Sequence, residues 1–324
     1  MNPCLLALNL LLGGQTVMLV SEFGTGNLLG FDPASAAPIV LPQSFQPVGG
    51  VAGGADGMAV DADGRIYVNR QNGTVYRTDT EGMEFTLFAT MPDASEDFFL
   101  LDLSLSDEHL FATQFASTNL YRIDRSNGLV DIIPGPPAAS RFDGVRHGPD
   151  GRIYVVDSSD GRVFAWSPST QDWSVFLDNV TGIDSASQLE FGDDGRVFIS
   201  QTVNEQAQVT AYQLLEPGDW TSGLNPGSAQ LIGQFSANSA ATGIRISPEG
   251  RLYANAFNAG EVWRSNPGIT AMETEAFITD LDLPGSILFL NGGSDAMFSD
   301  RFESINLTPD CGSHQAHDHD VTLK

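Results

Sequence analysis

A closed ring of six β-sheet blades, an all-β six-bladed β-propeller, is predicted by three observations: a repeated turn phrase, the even spacing of its copies, and complementary half-units at the two chain ends. Asp63-Gly64-Arg65-Ile66-Tyr67 returns as Asp150-Gly151-Arg152-Ile153-Tyr154, with weaker copies at Asp194-Gly195-Arg196-Val197-Phe198 and Glu249-Gly250-Arg251-Leu252-Tyr253. Asp107-Glu108-His109 and Gly292-Gly293 complete the set as degenerate turns. From Gly64 through Glu108, Gly151, Gly195, Gly250 and Gly293 the steps are 44, 43, 44, 55 and 43 residues. A period of roughly 40 to 50 residues with strand-like content marks a propeller with one four-stranded blade per repeat.

The second unit shows the parse. Gly57 to Val60 reads as an inner strand, and Asp63-Gly64 as the hairpin turn where a positive φ is needed. Arg65 to Asn69 follows as the second strand. Asn72-Gly73 turns the chain, Thr74 to Arg77 is the third strand, and Phe85 to Ala89 the outer one. Aligned on the turn, Val20, Tyr67, Phe111, Tyr154, Phe198 and Tyr253 form one column of large apolar residues, expected to pack between blades. The 55-residue step holds Glu216-Pro217-Gly218-Asp219 and Leu224-Asn225-Pro226-Gly227, which read as a loop inserted in the fifth unit.

The ends close the ring. The first unit opens at Val17 on its second strand and lacks an inner one, whereas Gly285 to Gly293 has the pattern of an inner strand plus its turn with no strands after it. Their pairing, with Ile287 and Phe289 beside Leu19 and Ser21, would remove the exposed sheet edges. The propeller is therefore expected to span residues 16–293 as one domain. Residues 1–15 are expected to be a signal or leader segment, because the apolar run from Cys4 to Leu12 is too short to span a membrane. Residues 294–324 are expected to form a flexible acidic tail carrying His314, His317 and His319. Within it, residues 294–303 (SDAMFSDRFE) resemble a Phe-Glu-ending segment common near the C-termini of exported bacterial proteins. A secreted or periplasmic location is expected.

Composition excludes some partners. The 41 acidic residues outnumber the 15 basic ones, giving a formal charge of −26, and the only lysine is Lys324. A surface without clustered Lys and Arg does not bind a phosphate backbone, so nucleic acid is not expected. Two cysteines, Cys4 and Cys311, provide no disulfide framework or zinc motif. The chain is expected to act as a monomer on a small-molecule ligand or a protein.

The candidate site is the channel mouth, where inner strands begin. Seven residues before the turn stand Asp56, Asp143, Ser187 beside Gln188, and Thr242, with Asp102 nearby in the third unit. Four residues after the hairpin Arg, a second column reads Glu22, Asn69, Thr113, Val156, Ser200 and Asn255. Carboxylates and amides converging on one axis make a hard-oxygen site for Ca²⁺ or another divalent metal. The metal candidates are Asp56, Asp143 and Glu22, and the ligand-binding candidates are Asn69, Asp102, Gln188, Thr242 and Asn255. Each Asp before Gly can equally tie its own loop through backbone N–H groups.

Ala55-Asp56-Gly57-Met58-Ala59-Val60 resembles the Asp-Gly-Met segment of the senescence-marker-protein/gluconolactonase family of six-bladed propellers. That likeness implies that Asp56 is a metal ligand and catalytic acid/base group, and it places Asp143-Gly144 at the family's metal-binding Asn-Gly pair. Ile153-Tyr154-Val155-Val156-Asp157-Ser158 with Gly161-Arg162-Val163 is similar to NHL repeats, which are binding propellers. The readings are a binding propeller and a divalent-metal hydrolase of lactones or related esters.

Overall fold

The computed structural model describes residues 15–50, 53–79, 84–94, 100–115, 117–178 and 184–290. The expected leader, the C-terminal tail and the turn at Gly292-Gly293 lie outside the described residues, Gln15 apart.

Strands β1 (Val17–Glu22), β2 (Leu28–Phe31) and β3 (Pro38–Ile39) build the first blade. The second holds β4 (Ala55–Val60), β5 (Ile66–Arg70), β6 (Thr74–Thr78) and β7 (Phe85–Thr90). In the third are β8 (Leu100–Leu105), β9 (His109–Gln114), β10 (Asn119–Asp124) and β11 (Val130–Pro134), and in the fourth β12 (Phe142–His147), β13 (Ile153–Asp157), β14 (Val163–Trp166) and β15 (Trp173–Leu177). The fifth contains β16 (Ser185–Phe191), β17 (Arg196–Val203), β18 (Gln206–Leu214) and β19 (Leu224–Ala237). The sixth has β20 (Ala241–Ile246), β21 (Leu252–Ala256) and β22 (Glu261–Arg264), and the last strand, β23 (Pro284–Leu290), joins the first blade as its inner strand.

All pairings are antiparallel meanders, and the hairpin glycines Gly64, Gly151, Gly195 and Gly250 take φ between 76° and 83°, the left-handed region an Asp-Gly turn requires. The sixth blade departs from the four-strand expectation. Its outer position is held by an irregular run that forms no ladder with β22, only the isolated bridges Val262↔Ile278 and, just past the strand, Ser265↔Met272, backed by the Glu273 amide on the Arg264 carbonyl and the Arg264–Glu273 ion pair. Left-handed backbone at Gly268, Ile269, Asp280 and Leu283 breaks that run before a strand can form. The fifth-unit insertion differs in another way: Leu224-Asn225-Pro226-Gly227 belongs to β19, joined to β18 through shifts in register. Only residues 215–223 leave the sheet, and Trp220 among them packs against Phe176 and Phe191.

The ring closes as the chain ends predict, with a different register. β1 pairs β23 through Met18↔Phe289, Leu19↔Leu288 and Val20↔Ile287, rather than Ile287 and Phe289 beside Leu19 and Ser21. Opposed residues in an antiparallel pair share a face. This register puts Met18, Val20, Ile287 and Phe289 against the sixth blade and Val17, Leu19, Leu288 and Leu290 against the second. A slip of one residue would swap those faces. Inner strands then touch in an unbroken circle, β4 to β8, β12, β16, β20, β23 and back to β4.

Packing lies between blades. The buried apolar side chains divide into six clusters, one for each junction between neighbouring blades. The predicted column from Val20 to Tyr253 is at most 2% exposed throughout. At about 25 cal/mol per Å² of apolar surface removed from water, these junctions supply the main driving force for assembling the ring.

A candidate binding mouth on the propeller axis

Every inner strand carries a β-bulge at the same level. Opposite Asn69 stand Asp56 and Gly57; opposite Thr113, Leu101 and Asp102; opposite Val156, Asp143 and Gly144. Opposite Ser200 are Ser187 and Gln188, opposite Asn255 are Thr242 and Gly243, and opposite Ser21 are Gly285 and Ser286. A bulge re-aims the residues beside it, and six together make the floor of one mouth. Glycine at the second bulge position lets adjacent inner strands approach closely. A Cβ on Gly57 would sit 2.6 Å from the Asp102 Cα, and one on Gly144 2.4 Å from the Ser187 carbonyl oxygen.

Hydroxyls latch alternate bulges together. Ser21 Oγ donates to the Asp56 carbonyl at 2.7 Å and Ser200 Oγ to the Thr242 carbonyl at 2.7 Å, and Thr113 Oγ1 donates to the Asp143 carbonyl. In each case the donor's blade precedes the acceptor's. The remaining members of this column are Asn69, Val156 and Asn255.

The first blade's member is Ser21, which corrects the place given to Glu22. Glu22 stands one residue further along β1, where its carboxylate accepts from Thr25 Oγ1 at 2.7 Å and from the Asp282 amide at 2.9 Å. Neighbours on a strand point to opposite faces, so Glu22 ties rim loops instead of lining the floor. Its counterpart Asp157 does the same through the amides of Ser140, Arg141 and Ser159.

Asp102 is displaced for the same reason. Leu101 holds the first bulge position of the third blade, and the Asp102 carboxylate turns inward, completely buried, to accept from Val145 N at 3.0 Å, Leu103 N at 2.9 Å and Arg146 Nη1 at 2.9 Å. Burial pushes this carboxyl up, opposed first by Arg146. Gln188 joins the same network, accepting from Arg146 Nη2 at 3.2 Å and from the Ile244 amide at 3.2 Å. Arg146, 3% exposed, also reaches the Ile244 carbonyl on the sixth blade. Glu190 lies 3.7 Å from Arg146 and 3.3 Å from Arg245, which itself donates to the Ile287 carbonyl. This charged plug spans the ring below the mouth. Sequence reading missed it, although Ser104, Arg146, Glu190 and Arg245 occupy one column of otherwise apolar inner strands.

Asp56 and Asp143, both half-buried, remain on the floor. The Asp56 carboxylate has no hydrogen bond or ion pair with a described residue. Burial, then Asp143 and Asp102, hold it well above the usual carboxylate range. Asp143 is pushed up to about 8 by burial and by Asp102, against the pull of Arg141 and a hydrogen bond with Ser187. A Cβ on Gly285 would fall 2.3 Å from Asp56 Oδ1, so this carboxylate lies over bare backbone. Nearby, the buried amide of Asn255 and the Ser286 hydroxyl, and also the buried Asn69 amide, have no hydrogen-bond partner among the described residues. Thr242 Oγ1 donates to the Pro284 carbonyl at 3.1 Å. Asp56 and Asp143 are thus brought together, Asn69 and Asn255 flank the floor, and Asp102, Gln188, Thr242 and Glu22 are engaged in holding the ring. Among the described residues no three His, Cys, Asp or Glu side chains form a metal-binding cluster, and no helix is long and apolar enough to cross a membrane.

No family model matches the chain, and no curated protein does. Solved structures do. A chain of a nidogen/laminin complex is 12% identical with a TM-score of 0.64, over 86% of this chain and all of that one. A catalytically inactive virginiamycin B lyase from Staphylococcus aureus with quinupristin is 16% identical, TM-score 0.53, covering 72% of this chain and 73% of that one. A streptogramin B lyase is 10% identical, TM-score 0.54, over 83% and 91%. At such identities the likeness shows a shared propeller fold.

Proposed function

We propose that this chain is an exported, monomeric binding propeller that takes a small ligand carrying a cationic or hydrogen-bond-donating group at the axial mouth. The observation that carries this reading is the Asp56 carboxyl, held inside the ring without a partner among the described residues and next to a second raised carboxyl, Asp143. Leaving such a group unpaired is costly. A cation or donor bound there would relieve that cost and release a proton from the pair. The fold serves protein assembly in one neighbour and lyase chemistry in others, so the site, not the fold, decides.

Titration calorimetry with phenethylamine at pH 8.5 tests the proposal. Binding is expected to weaken about tenfold or more in Asp56→Asn, the loss of one charge-assisted contact, and to strengthen in the wild type from pH 6 to 9. Equal heats for the two proteins, or none for either, overturn it. Appearance of the mature chain in the secreted or periplasmic fraction tests export.

The raised Asp56 carboxyl also favours a second reading, a hydrolase of lactones or related esters with Asp56 as acid/base group. Its support is the chemistry of the donors: the Asp56 and Asp143 carboxylates and the amide oxygens of Asn69 and Asn255, unpartnered among the described residues, are hard oxygen ligands of the kind Ca²⁺ takes. Such an ion would polarise an ester carbonyl. Turnover of a lactone panel that chelator abolishes, and that Asp56→Asn lacks while still folded, supports this reading; turnover indifferent to both removes it.

A further inference from the structure

We infer that the mouth also contains an anion subsite, Arg141, and that its ligand is amino-acid-like: a carboxylate and an amine on one small framework with an apolar side chain. This inference rests on the mouth being a ligand site and assigns its chemical class.

Arg141 is exceptional among the arginines of this acidic chain. Ten of the described arginines pair with a carboxylate within 4.0 Å. Arg70 is tied to the carbonyls of Val48 and Gly53, and Arg77 to that of Arg125. Arg141 donates from Nε to Ser158 Oγ at 2.7 Å, which fixes the guanidinium, and neither of its Nη atoms bonds a described residue. Its Cζ lies 5.1 Å from the centre of the Phe115 ring, itself 47% exposed. The backbone amide of Arg141 is anchored by Asp157 Oδ1. A guanidinium held by its Nε and backed by an aromatic face presents the two Nη donors as a fork for a carboxylate.

The rest of the mouth supplies the complementary groups. Arg141 is two residues before Asp143 and close enough to lower its pKa. A bound carboxylate on Arg141 therefore sets an adjacent ammonium within reach of Asp143. Across the ring, Phe23 after β1 and Phe257 after β21 meet edge to face at 5.9 Å, both partly exposed. Phe23 borders the entry to β4 through its carbonyl, which accepts from Gly54 N. An apolar side chain extending from the charged end would meet this wall. A purely structural Arg141 would not require a free fork beside two floor carboxyls that no cation pairs within 4.0 Å among the described residues.

Calorimetry with three probes separates the possibilities: L-phenylalanine, L-phenylalaninamide and phenethylamine. The wild type is expected to bind L-phenylalanine about tenfold more tightly than either probe without a carboxylate. Arg141→Gln is expected to erase that advantage and leave phenethylamine within about twofold. Ser158→Ala, which frees the guanidinium without removing it, is expected to lose part of the advantage. If phenethylamine binds through Asp56 while L-phenylalanine gains nothing, or Arg141→Gln weakens all three probes alike, the anion subsite is wrong and the mouth reading stands. If no probe binds, both fall.

Discussion

The axis of this propeller carries two sets of charges a few residues apart, and they are treated oppositely. In the plug, Asp102, Arg146, Glu190 and Arg245 neutralise one another, and the Gln188 side chain and the carbonyls of Ile244 and Ile287 accept the remaining guanidinium donors. At the mouth, Asp56 and Asp143 stand on the ring of inner strands, on β4 and β12, with raised pKa values and no cation paired to either within 4.0 Å among the described residues. Burial alone does not separate the two sets, since it raises all three aspartates. Partners do. A ring that pairs its buried charges in one layer and leaves two carboxyls without a cation in the next marks the second layer as the one that faces a ligand.

The largest way to break this contrast is to remove the cation of the plug. Arg146→Met leaves Asp102 fully buried without its partner and is expected to cost about 3–5 kcal/mol, measured by urea denaturation. Asp102→Asn combined with Arg146→Met is expected to recover most of the loss. A mild effect of the single substitution would mean that water reaches the plug and that the two layers do not differ.

At the mouth the sign reverses. A raised Asp pKa means that the folded state holds its proton where the unfolded chain has released it. Its contribution to stability is complete below the ordinary value near 4 and is lost as pH rises towards about 8. Asp143→Asn removes that slope. The variant is expected to match the wild type at pH 4 and to exceed it at pH 8.5, read from denaturation curves at both pH values. A destabilised variant at pH 8.5 would show that the Asp143 carboxylate is already satisfied.

The ring was legible in the sequence because repetition and turn chemistry are local. Gly64, Gly151 and Gly195 announce their left-handed turns, and Val17 and Leu290 announce unfinished blades. Asp56 and Asp143 were legible too, since a fixed offset from the turn places them on one level. What was hidden depends on single-residue phase. A bulge shifts the alternation on the inner strand, and nothing in the residues around Ser21 and Glu22 says which faces the floor until the β1–β23 register is known. The same ambiguity concealed that Asp102 points away from the mouth. Arg146 was hidden for another reason: its partners sit 42 to 98 residues away in sequence, and only the closed ring makes them neighbours.

The smallest expected effect concerns the seam between the two layers. Ser21, Thr113 and Ser200 latch one bulge carbonyl each on the following blade, and the alternate blades place Asn69, Val156 and Asn255 at the same point. A hydroxyl there contributes about 1 kcal/mol per net hydrogen bond, and Ser200 makes two, so Ser200→Ala is expected to lower stability by about 1–2 kcal/mol in urea. The carbonyl it releases belongs to Thr242, on the mouth floor, and its plug-side neighbour Gln188 loses the acceptor for its amide as well. Replacing Asn255 with the apolar Val already found at 156 is the opposite experiment. Its side-chain amide has no hydrogen bonds to lose, so Asn255→Val is expected to leave the fold at least as stable while weakening phenethylamine binding. If Asn255→Val instead destabilises the chain by more than Ser200→Ala does, the unpartnered amide serves the ring, and the boundary between the satisfied layer and the open one has to be drawn above it.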